Sequence, residues 1–298
     1  MATTSQWLAA TRPRTLPAAI APVVVGWAAA WHDAHDLGMS GSVAVLAMLV
    51  ALALQVGVNY SNDYSDGVRG TDEVRVGPVR LVGQKLAPAA QVKAAAFAMF
   101  GTAAIAGMGV VALTGEWQML IIGALAILSA WFYTGGKNPY GYLGLGEVFV
   151  FVWFGLVAVQ GTVFVLLGRT TALGWLFGVG AGALSCALLV ANNLRDVPTD
   201  IASGKRTLAV RLGASRTRWF YIALIWTALI VPFIAIAGGA TRWLALALLA
   251  AASAHRPGWA VIRGASGREL LPVLAATGRT LLVWAASISL GLWLGSRF

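Results

Sequence analysis

Apolar residues form long stretches along this chain, and short polar loops separate them. Each apolar stretch is 18 residues or longer, and roughly 20 apolar residues cross the hydrocarbon core of a membrane as one helix. Strands of a membrane barrel would be shorter and would alternate apolar with polar residues. The pattern therefore predicts nine spanning helices, at residues 15–34, 41–62, 88–113, 117–134, 146–167, 172–193, 217–237, 242–263 and 270–294.

Polar residues and a proline interrupt the eighth of these stretches. His255, Arg256 and Pro257 follow one another within it. Proline lacks the amide hydrogen that a bond in the interior of a helix needs. We therefore expect the eighth helix to be kinked or to end early.

The composition excludes a soluble protein. Hydrophobic residues make up 59% of the chain and charged residues 11%, and the mean hydropathy is +0.77. Soluble domains carry roughly 25% charged residues. The sequence therefore predicts a single all-α integral membrane domain over residues 1–298, built as a bundle of nine transmembrane helices.

The distribution of basic residues predicts the orientation of the bundle. With the N-terminus in the cytoplasm, 18 of the 21 Lys and Arg residues fall on the cytoplasmic side, and Arg169, Arg242 and Arg297 fall outside. Cytoplasmic loops of membrane proteins are enriched in Lys and Arg, so we expect a cytoplasmic N-terminus and an external C-terminus. The net charge of +10 then reflects insertion and anionic lipids, and neither a nucleic acid nor a protein partner is indicated.

Two polar stretches with many carboxylates follow the second and sixth predicted helices. The stretches are residues 59–66 and 192–200. Six of the 11 acidic residues of the chain lie in or beside them, namely Asp63, Asp66, Asp72, Glu73, Asp196 and Asp200. Both stretches end predicted helices on the cytoplasmic side, so they can face one another. Side chains three or four residues apart share one face of a helix, and Asn59 and Asn192 each precede the first aspartate of their stretch by four residues.

Four aspartates gathered at a membrane boundary would repel one another unless cations neutralise them. Zinc favours Cys and His ligands, whereas Mg²⁺ is bound through a few carboxylates together with substrate phosphates. Basic residues near the two stretches could bind the remaining phosphate charge, and these are Arg69, Arg80, Lys137, Arg195, Lys205 and Arg206. The set describes a diphosphate site with Mg²⁺, reached from the bilayer by a lipid substrate such as a prenyl diphosphate.

Other functions remain open on the residues alone. A phosphotransferase of the CDP-alcohol type expects Asp-Gly-x-x-Ala-Arg, but Asp66 and Gly67 are followed by Val-Arg-Gly. A cation-coupled transporter expects ionisable groups near the bilayer midplane, whereas these acids lie at one face. His32 and His35 have a spacing that could bind zinc, but they fall in a short outer loop and are read as plain loop residues.

The two stretches resemble the aspartate motifs of the UbiA superfamily of intramembrane prenyltransferases, as Asn59-x-x-x-Asp63-x-x-Asp66 and Asn192-x-x-x-Asp196-x-x-x-Asp200. The likeness extends over nearly the whole chain. The segments RPRTLPA at 12–18, NDYSDGVRGTD at 62–72, GPVR at 77–80 and NNLRDVPTDIASGKRTL at 192–208 are most similar to the branch that prenylates 1,4-dihydroxy-2-naphthoate in menaquinone biosynthesis.

The resemblance implies a fold, a reaction and roles for residues. It implies a nine-helix bundle in the cell membrane that transfers a polyprenyl group from its diphosphate to 1,4-dihydroxy-2-naphthoate, with loss of the carboxyl group. Other aromatic acceptors of the family, 4-hydroxybenzoate or homogentisate, stay open. Two Mg²⁺ ions would be held by the four aspartates, with the two asparagines in support: Asp63, Asp66, Asp196, Asp200, Asn59 and Asn192.

Glu147 and two loops complete the predicted site. Glu147 lies just inside the fifth predicted helix, where an ionisable residue is costly and therefore a functional candidate. We expect it to orient the aromatic acceptor or to accept its proton. The loops near 63–87 and 194–216 are expected to cap the site on the cytoplasmic side and to limit the entry of water.

Overall fold

The computed structural model describes residues 2–34, 40–70, 77 and 79–297, and within these residues the chain forms helices and no strands. The α-helices in chain order are α1 (Thr4–Ala10), α2 (Pro17–Asp33), α3 (Ser40–Val68), α4 (Ala89–Thr114), α5 (Gln118–Phe132), α6 (Gly146–Val150), α7 (Ala158–Leu167), α8 (Ala172–Ala202), α9 (Leu208–Ala237), α10 (Leu248–Ile262) and α11 (Leu270–Gly295). Asp72, Glu73 and His35 lie outside the described residues.

The structure supports most of the predicted spans individually but not their number. Six helical segments are long and apolar enough to cross a membrane, and the bent pair Thr4–Thr15 and Pro17–Asp33 makes up to seven. The fourth predicted span corresponds to α5 and the eighth to α10, each only 15 residues long. A membrane protein with six to seven candidate spans is therefore observed, and the count of nine stays a prediction.

The eighth predicted span is irregular at a different place from the one expected. Helix α10 passes through Pro257 without ending, and the irregular part lies earlier, where residues Arg242–Ala247 form a 3₁₀ helix. Pro257 is the tenth residue of α10, so the amide that it lacks leaves one helical bond unmade while the helix continues to Ile262.

The helices that carry the two aspartate motifs extend well beyond their predicted ends. Helix α3 continues to Val68 and α8 to Ala202. The four aspartates are therefore helical residues, and the first part of each expected capping loop is helix. A side chain on a helix has fewer positions available than one on a loop, so the two motifs are held on rigid elements.

The helices pack as two groups with a cavity between them. Helices α3, α4 and α5 surround one core with Phe100 and Leu81 at its centre, and α2, α7, α8, α9 and α11 surround a larger one with Phe177 and Trp284. A π-helix at Phe151–Val157 joins α6 to α7. There Gly155 contacts α8 so closely that an added Cβ would lie 2.6 Å from Gly182 Cα.

Candidate active site

The first aspartate of the first motif holds the loop that follows α3. Asp63 Oδ2 accepts the backbone N–H of Leu81 at 2.7 Å, and Oδ1 accepts that of Val82 at 3.0 Å. Asp63 is buried. Backbone amides thus satisfy one lone pair on each oxygen, and a carboxylate oxygen has a second lone pair that can bind a cation.

The second aspartate of this motif lies in a buried cluster with an aromatic ring and an ammonium group. Asp66 Oδ1 accepts a short hydrogen bond from the Tyr142 hydroxyl and lies 2.9 Å from Lys205 Nζ. The ammonium also stands over the Tyr142 ring, 4.5 Å from its centroid. Burial, the charge of Asp66 and the hydrogen bond raise the pKa of Tyr142, so its hydroxyl stays protonated and donates to the carboxylate.

The second motif contains a buried ion pair between neighbours in the chain. Arg195 Nε and Nη2 donate to the two oxygens of Asp196 at 2.7 and 2.6 Å. Both side chains are 2% exposed. The bidentate geometry of Arg195 and Asp196 is the strong form of an arginine–carboxylate contact. Asp200, one helical turn further on, accepts the Thr207 hydroxyl at 3.4 Å.

The N-terminal segment lies against the first motif. The amide nitrogen of Asn59 donates to the carbonyl of Thr11 at 2.8 Å and to the Thr15 hydroxyl at 3.1 Å. Between these partners Arg12 has a φ of +54°, an uncommon conformation for a residue other than glycine. Strain of this kind is concentrated at functional sites, which makes the turn at Arg12 part of the candidate site.

Glu147 is buried at the start of α6. Its Oε1 accepts the Asn193 amide at 2.9 Å, and its Oε2 is buried with no hydrogen-bond partner among the residues that the structure describes. Asn193 follows Asn192 on α8, so Glu147 is tied to the second motif. A buried oxygen without a partner is costly, and a ligand that donates a hydrogen bond would satisfy it.

The other predicted phosphate-binding residues differ in position. Arg69 donates to the carbonyls of Thr134 and Gly136 and thereby binds the loop between α5 and α6 to the first motif. Arg80 is buried. Lys137 and Arg206 are exposed, and neither lines the cavities described next. Their role in diphosphate binding stays a prediction.

Two adjacent cavities lie between the helix groups. The larger has a volume of about 440 Å³ and a mainly apolar lining that includes Tyr140, Phe149, Trp153 and Phe154. The smaller, of about 50 Å³, is polar. Four residues line both cavities and mark their junction, namely Arg12, Asn62, Tyr133 and Asn192.

The small cavity brings the two motifs together. Asp66 from α3 and Asp200 from α8 both line it, with Asn192 and Lys205. Tyr133 lines the same cavity, so its ring lies beside these two acids. Five predicted site residues are buried but do not line the small cavity, namely Asp63, Asp196, Asn59, Glu147 and Arg195. Asn59 lines the larger cavity.

The donor set suits a hard cation. Within the described ranges no three His, Cys, Asp or Glu side chains are close enough to form a metal cluster by themselves. The small cavity nevertheless offers carboxylate oxygens from Asp66 and Asp200 and the side chains of Asn62 and Asn192. Oxygen ligands with remaining positions for water and phosphate are what Mg²⁺ requires, so the residues fit that ion.

The comparison with protein families decides the family. The model of the "UbiA prenyltransferase family" matches residues 19–274. This chain belongs to the UbiA prenyltransferase family. Two curated members of the family are named 1,4-dihydroxy-2-naphthoate octaprenyltransferase. The one from Mycobacterium tuberculosis is 50% identical, covering 97% of each chain, and the one from Escherichia coli is 34% identical, covering 98% of this chain and 96% of the relative.

Solved structures of UbiA prenyltransferases share the fold. A UbiA homologue from Archaeoglobus fulgidus, described as bound to DMAPP and Mg²⁺, superposes with a TM-score of 0.65 at 11% identity, over 97% of this chain and 99% of that one. A UbiA homologue from Aeropyrum pernix gives a TM-score of 0.62 at 14% identity, over 94% and 96%. The helical architecture described above is therefore that of the UbiA family.

Several residues of the site escaped the sequence reasoning. Tyr142 lies at its centre, because its hydroxyl meets Asp66, its ring meets Lys205, and its carbonyl accepts the Arg206 N–H at 2.9 Å. The same segment contains Tyr133 and Thr134. A run of polar and aromatic residues between two apolar helices was visible in the sequence, but Lys137 carried the only charge and drew the assignment. Asn62, which accepts the Thr134 hydroxyl at 2.8 Å, was equally missed.

Proposed function

We propose that this protein transfers a polyprenyl group from its diphosphate to 1,4-dihydroxy-2-naphthoate, with loss of carbon dioxide, to give a demethylmenaquinol. The observation that carries the proposal is the polar cavity lined by Asp66 and Asp200, which lies next to an apolar cavity of about 440 Å³ whose lining includes aromatic rings. The 50% identity to a 1,4-dihydroxy-2-naphthoate octaprenyltransferase supports it in sequence.

Magnesium is the cofactor of the proposed reaction. Two ions would be held by the four aspartates of the motifs, assisted by Asn59 and Asn192. The fit of the oxygen donors in the small cavity and the Mg²⁺ named in the A. fulgidus structure support this assignment. Bound Mg²⁺ would neutralise the diphosphate and make it a better leaving group.

The side chains divide the substrate between the two cavities. Lys205 and Arg12 line the polar cavity and would bind the diphosphate, with Arg69, Arg80, Lys137, Arg195 and Arg206 as further predicted contacts. The prenyl tail would lie in the apolar cavity. Tyr133, at the junction, presents a ring where positive charge develops on the allylic carbon as diphosphate departs with the C–O electron pair, and ring faces attract cations.

Glu147 and Asn193 would orient the acceptor. A hydroxyl of the naphthoate could donate to Glu147 Oε2, whose hydrogen-bonding capacity is unused among the described residues. The ring carbon of the naphthoate that bears the carboxyl group then attacks the allylic carbon of the prenyl group. Loss of carbon dioxide leaves its electron pair in the ring and restores aromaticity.

The proposal includes an orientation in the cell membrane, as a nine-span bundle with the site on the cytoplasmic side. The excess of Lys and Arg at that end supports it. The loops near 63–87 and 194–216 would cap the site. Supporting contacts are those of Leu81 and Val82 with Asp63 and the position of Gly77, where an added Cβ would lie 3.7 Å from the Arg195 guanidinium carbon.

An acceptor competition tests the proposal. Purified protein in nanodiscs is supplied with radiolabelled octaprenyl diphosphate and with 1,4-dihydroxy-2-naphthoate, 4-hydroxybenzoate or homogentisate, each with Mg²⁺ or with excess EDTA. We expect Mg²⁺-dependent label on the naphthoate product alone. Label on another acceptor would overturn the assigned substrate, and no transfer by folded protein would overturn the reaction.

A further inference from the structure

Lys205 follows the second aspartate motif in the chain but is buried against the first. Its Nζ lies 2.9 Å from Asp66 Oδ1 and 4.5 Å from the centroid of the Tyr142 ring. Only 5% of the residue is exposed. An ammonium this deeply buried depends on its partners, because the desolvation of an isolated buried charge is strongly unfavourable.

The turn that carries Lys205 is fixed on both sides. Gly204 has a φ of +73°, which lets the chain turn sharply after α8. The Lys205 N–H donates to the carbonyl of Asp200 at 2.8 Å, and the Arg206 N–H donates to that of Tyr142 at 2.9 Å. The ammonium is therefore held at Asp66 by the fold.

The carboxylate of Asp66 would have to bind both the Lys205 ammonium and a metal ion. Its Oδ1 already receives both the Tyr142 hydroxyl and the Lys205 ammonium. A divalent ion on the same carboxylate would lie next to that ammonium, and like charges a few ångströms apart repel each other strongly in a partly buried site. The ammonium and the metal ion cannot both keep their best position.

We propose that Lys205 competes with the divalent metal ion for Asp66, and that the diphosphate resolves the competition by binding Lys205 itself. Lys205 would then couple the two ligands, because the metal ion binds well only when the diphosphate offers the ammonium another anion. This inference rests on the proposed function, since it assigns Asp66 to the metal site. Lys205 would then make tight binding of the metal ion depend on binding of the diphosphate.

Removal of the charge on Lys205 has consequences of opposite sign for the two ligands. The affinity for the metal ion alone should rise, whereas the affinity for the diphosphate should fall. A lysine with only a structural role would weaken both when replaced. A lysine that only binds diphosphate would leave the affinity for the metal ion alone unchanged.

The test measures both affinities on the full-length protein in nanodiscs. Electron paramagnetic resonance reports binding of Mn²⁺ alone, and calorimetry at saturating Mn²⁺ reports binding of geranyl thiolodiphosphate. For Lys205→Met we expect about tenfold tighter Mn²⁺ binding and about tenfold weaker thiolodiphosphate binding, a typical size for coupling between two ligands. Lys205→Arg keeps the charge and should behave like the wild type.

A matched control removes another lysine of the same predicted face. Lys93 is exposed and stands over the Tyr64 and Trp131 rings at 5.6 and 5.9 Å, away from both cavities. Lys93→Met should leave both affinities unchanged. Unchanged or weaker Mn²⁺ binding by folded Lys205→Met overturns the inference. If the wild-type protein transfers prenyl groups in the same experiments, the proposed function stays intact.

A measurement on the wild type keeps the inference testable if Lys205→Met does not fold. Amine-reactive labelling followed by mass spectrometry measures how accessible Lys205 is. Mn²⁺ alone should increase labelling of Lys205 several-fold relative to Lys93, because the ion displaces the ammonium from Asp66. Unchanged labelling at saturating Mn²⁺ would overturn the inference, and a wild type that neither binds Mn²⁺ nor transfers prenyl groups would overturn the proposed function as well.

Discussion

Each buried aspartate of the two motifs is satisfied by a different kind of partner. Asp63 accepts backbone amides, and Asp66 meets Tyr142 and Lys205. Asp196 pairs with Arg195, and Asp200 accepts the Thr207 hydroxyl. The sequence predicted that four carboxylates this close need cations. Lys205 and Arg195 already supply part of that positive charge, and backbone amides donate hydrogen bonds to Asp63. A metal ion therefore has to compete with these partners.

Asp66→Asn tests the metal assignment with the least change of shape. We expect turnover to fall at least about 100-fold, the scale seen when a group that stabilises transition-state charge is lost. The measurement is Mg²⁺-dependent prenyl transfer, with the size-exclusion profile as evidence of folding. The proposed assignment extends the same expectation to Asp196→Asn.

Asp33→Asn is the matched control. Asp33 ends α2 and pairs with Arg169, and neither residue lines either cavity. Surface ion pairs contribute little to stability, so activity should remain near that of the wild type. Near-normal activity of Asp66→Asn, or equal loss in both variants, would contradict the assignment.

Tyr142→Phe tests the residue that the sequence reasoning missed. Loss of one hydrogen bond to a charged group should lower the free energy of unfolding by about 1.5–3 kcal/mol. Burial and the charge of Asp66 raise the pKa of Tyr142 above its ordinary value of 10.0. The folded state therefore favours the protonated phenol, and this contribution is fully present below about pH 10 and is lost at higher pH as the unfolded tyrosine ionises.

Thermal unfolding of both proteins across pH measures this contribution. The difference in midpoint between wild type and Tyr142→Phe should be constant from about pH 7 to 9 and should shrink above about pH 10. A difference that is absent at neutral pH, or that grows with pH, would show that the hydroxyl does not donate to Asp66.

At the scale of single residues, the sequence predicted which residues belong to the site better than it predicted which residues contact one another. The spacing of aspartates and asparagines identified Asp66, Asp200 and Asn192, which the small cavity brings together. It could not reveal that Lys205 crosses to the first motif, because the turn at Gly204 and the packing of Tyr142 are long-range features. It also ranked Lys137 with the other cations, although this residue is exposed.

At the scale of helices, close approach of glycines determines how the cavity wall is built. The π-helix Phe151–Val157 carries Trp153 and Phe154 into the apolar cavity. Gly155 allows this segment to lie on α8, where its Cβ would be 2.6 Å from the carbonyl of Gly178. Such π-helical segments are frequent at functional sites.

Gly155→Ala tests this contact. We expect a loss of about 1–3 kcal/mol in stability, because extra volume in a close-packed contact forces the helices apart. The control Gly123→Ala adds the same methyl group to α5 where nothing lies within 4 Å, and it should be neutral or slightly stabilising. Thermal midpoints in one detergent compare them; equal midpoints would contradict the close packing of the π-helix on α8.

Helix boundaries were predicted less well than helix positions. Hydropathy ended the second and sixth spans at residues 62 and 193 because polar residues begin there, yet the helical hydrogen bonds continue to Val68 and Ala202. Polar residues end the membrane-spanning part of a helix but not the helix itself, because the backbone hydrogen bonds of a helix form in water as well as in lipid.

At the scale of the whole molecule, the charge distribution predicts which end faces the cytoplasm. The contacts of Arg69 with the loop between α5 and α6, and of Arg206 with Tyr142, bring the ends of α3, α5 and α8 to one side. Arg169 belongs to the other side, with Asp33. The positive-inside rule then predicts that the first of these sides faces the cytoplasm.

Cysteine labelling in whole cells and inverted vesicles tests the orientation. In a Cys186→Ala background, a cysteine at Lys137 should react with a membrane-impermeant maleimide only in inverted vesicles. A cysteine at Arg169 should react only in whole cells. The opposite pattern would place the site outside the cytoplasm and contradict the predicted topology.

The central claim is that α3 and α8 contribute to one metal-dependent diphosphate site. An experimental structure with Mn²⁺ and geranyl thiolodiphosphate, with anomalous scattering to locate manganese, tests it most directly. We predict manganese bound to carboxylates of both motifs, with the diphosphate between them and the geranyl chain in the apolar cavity. Manganese at one motif alone, or a diphosphate bound away from Asp66 and Asp200, would contradict the claim.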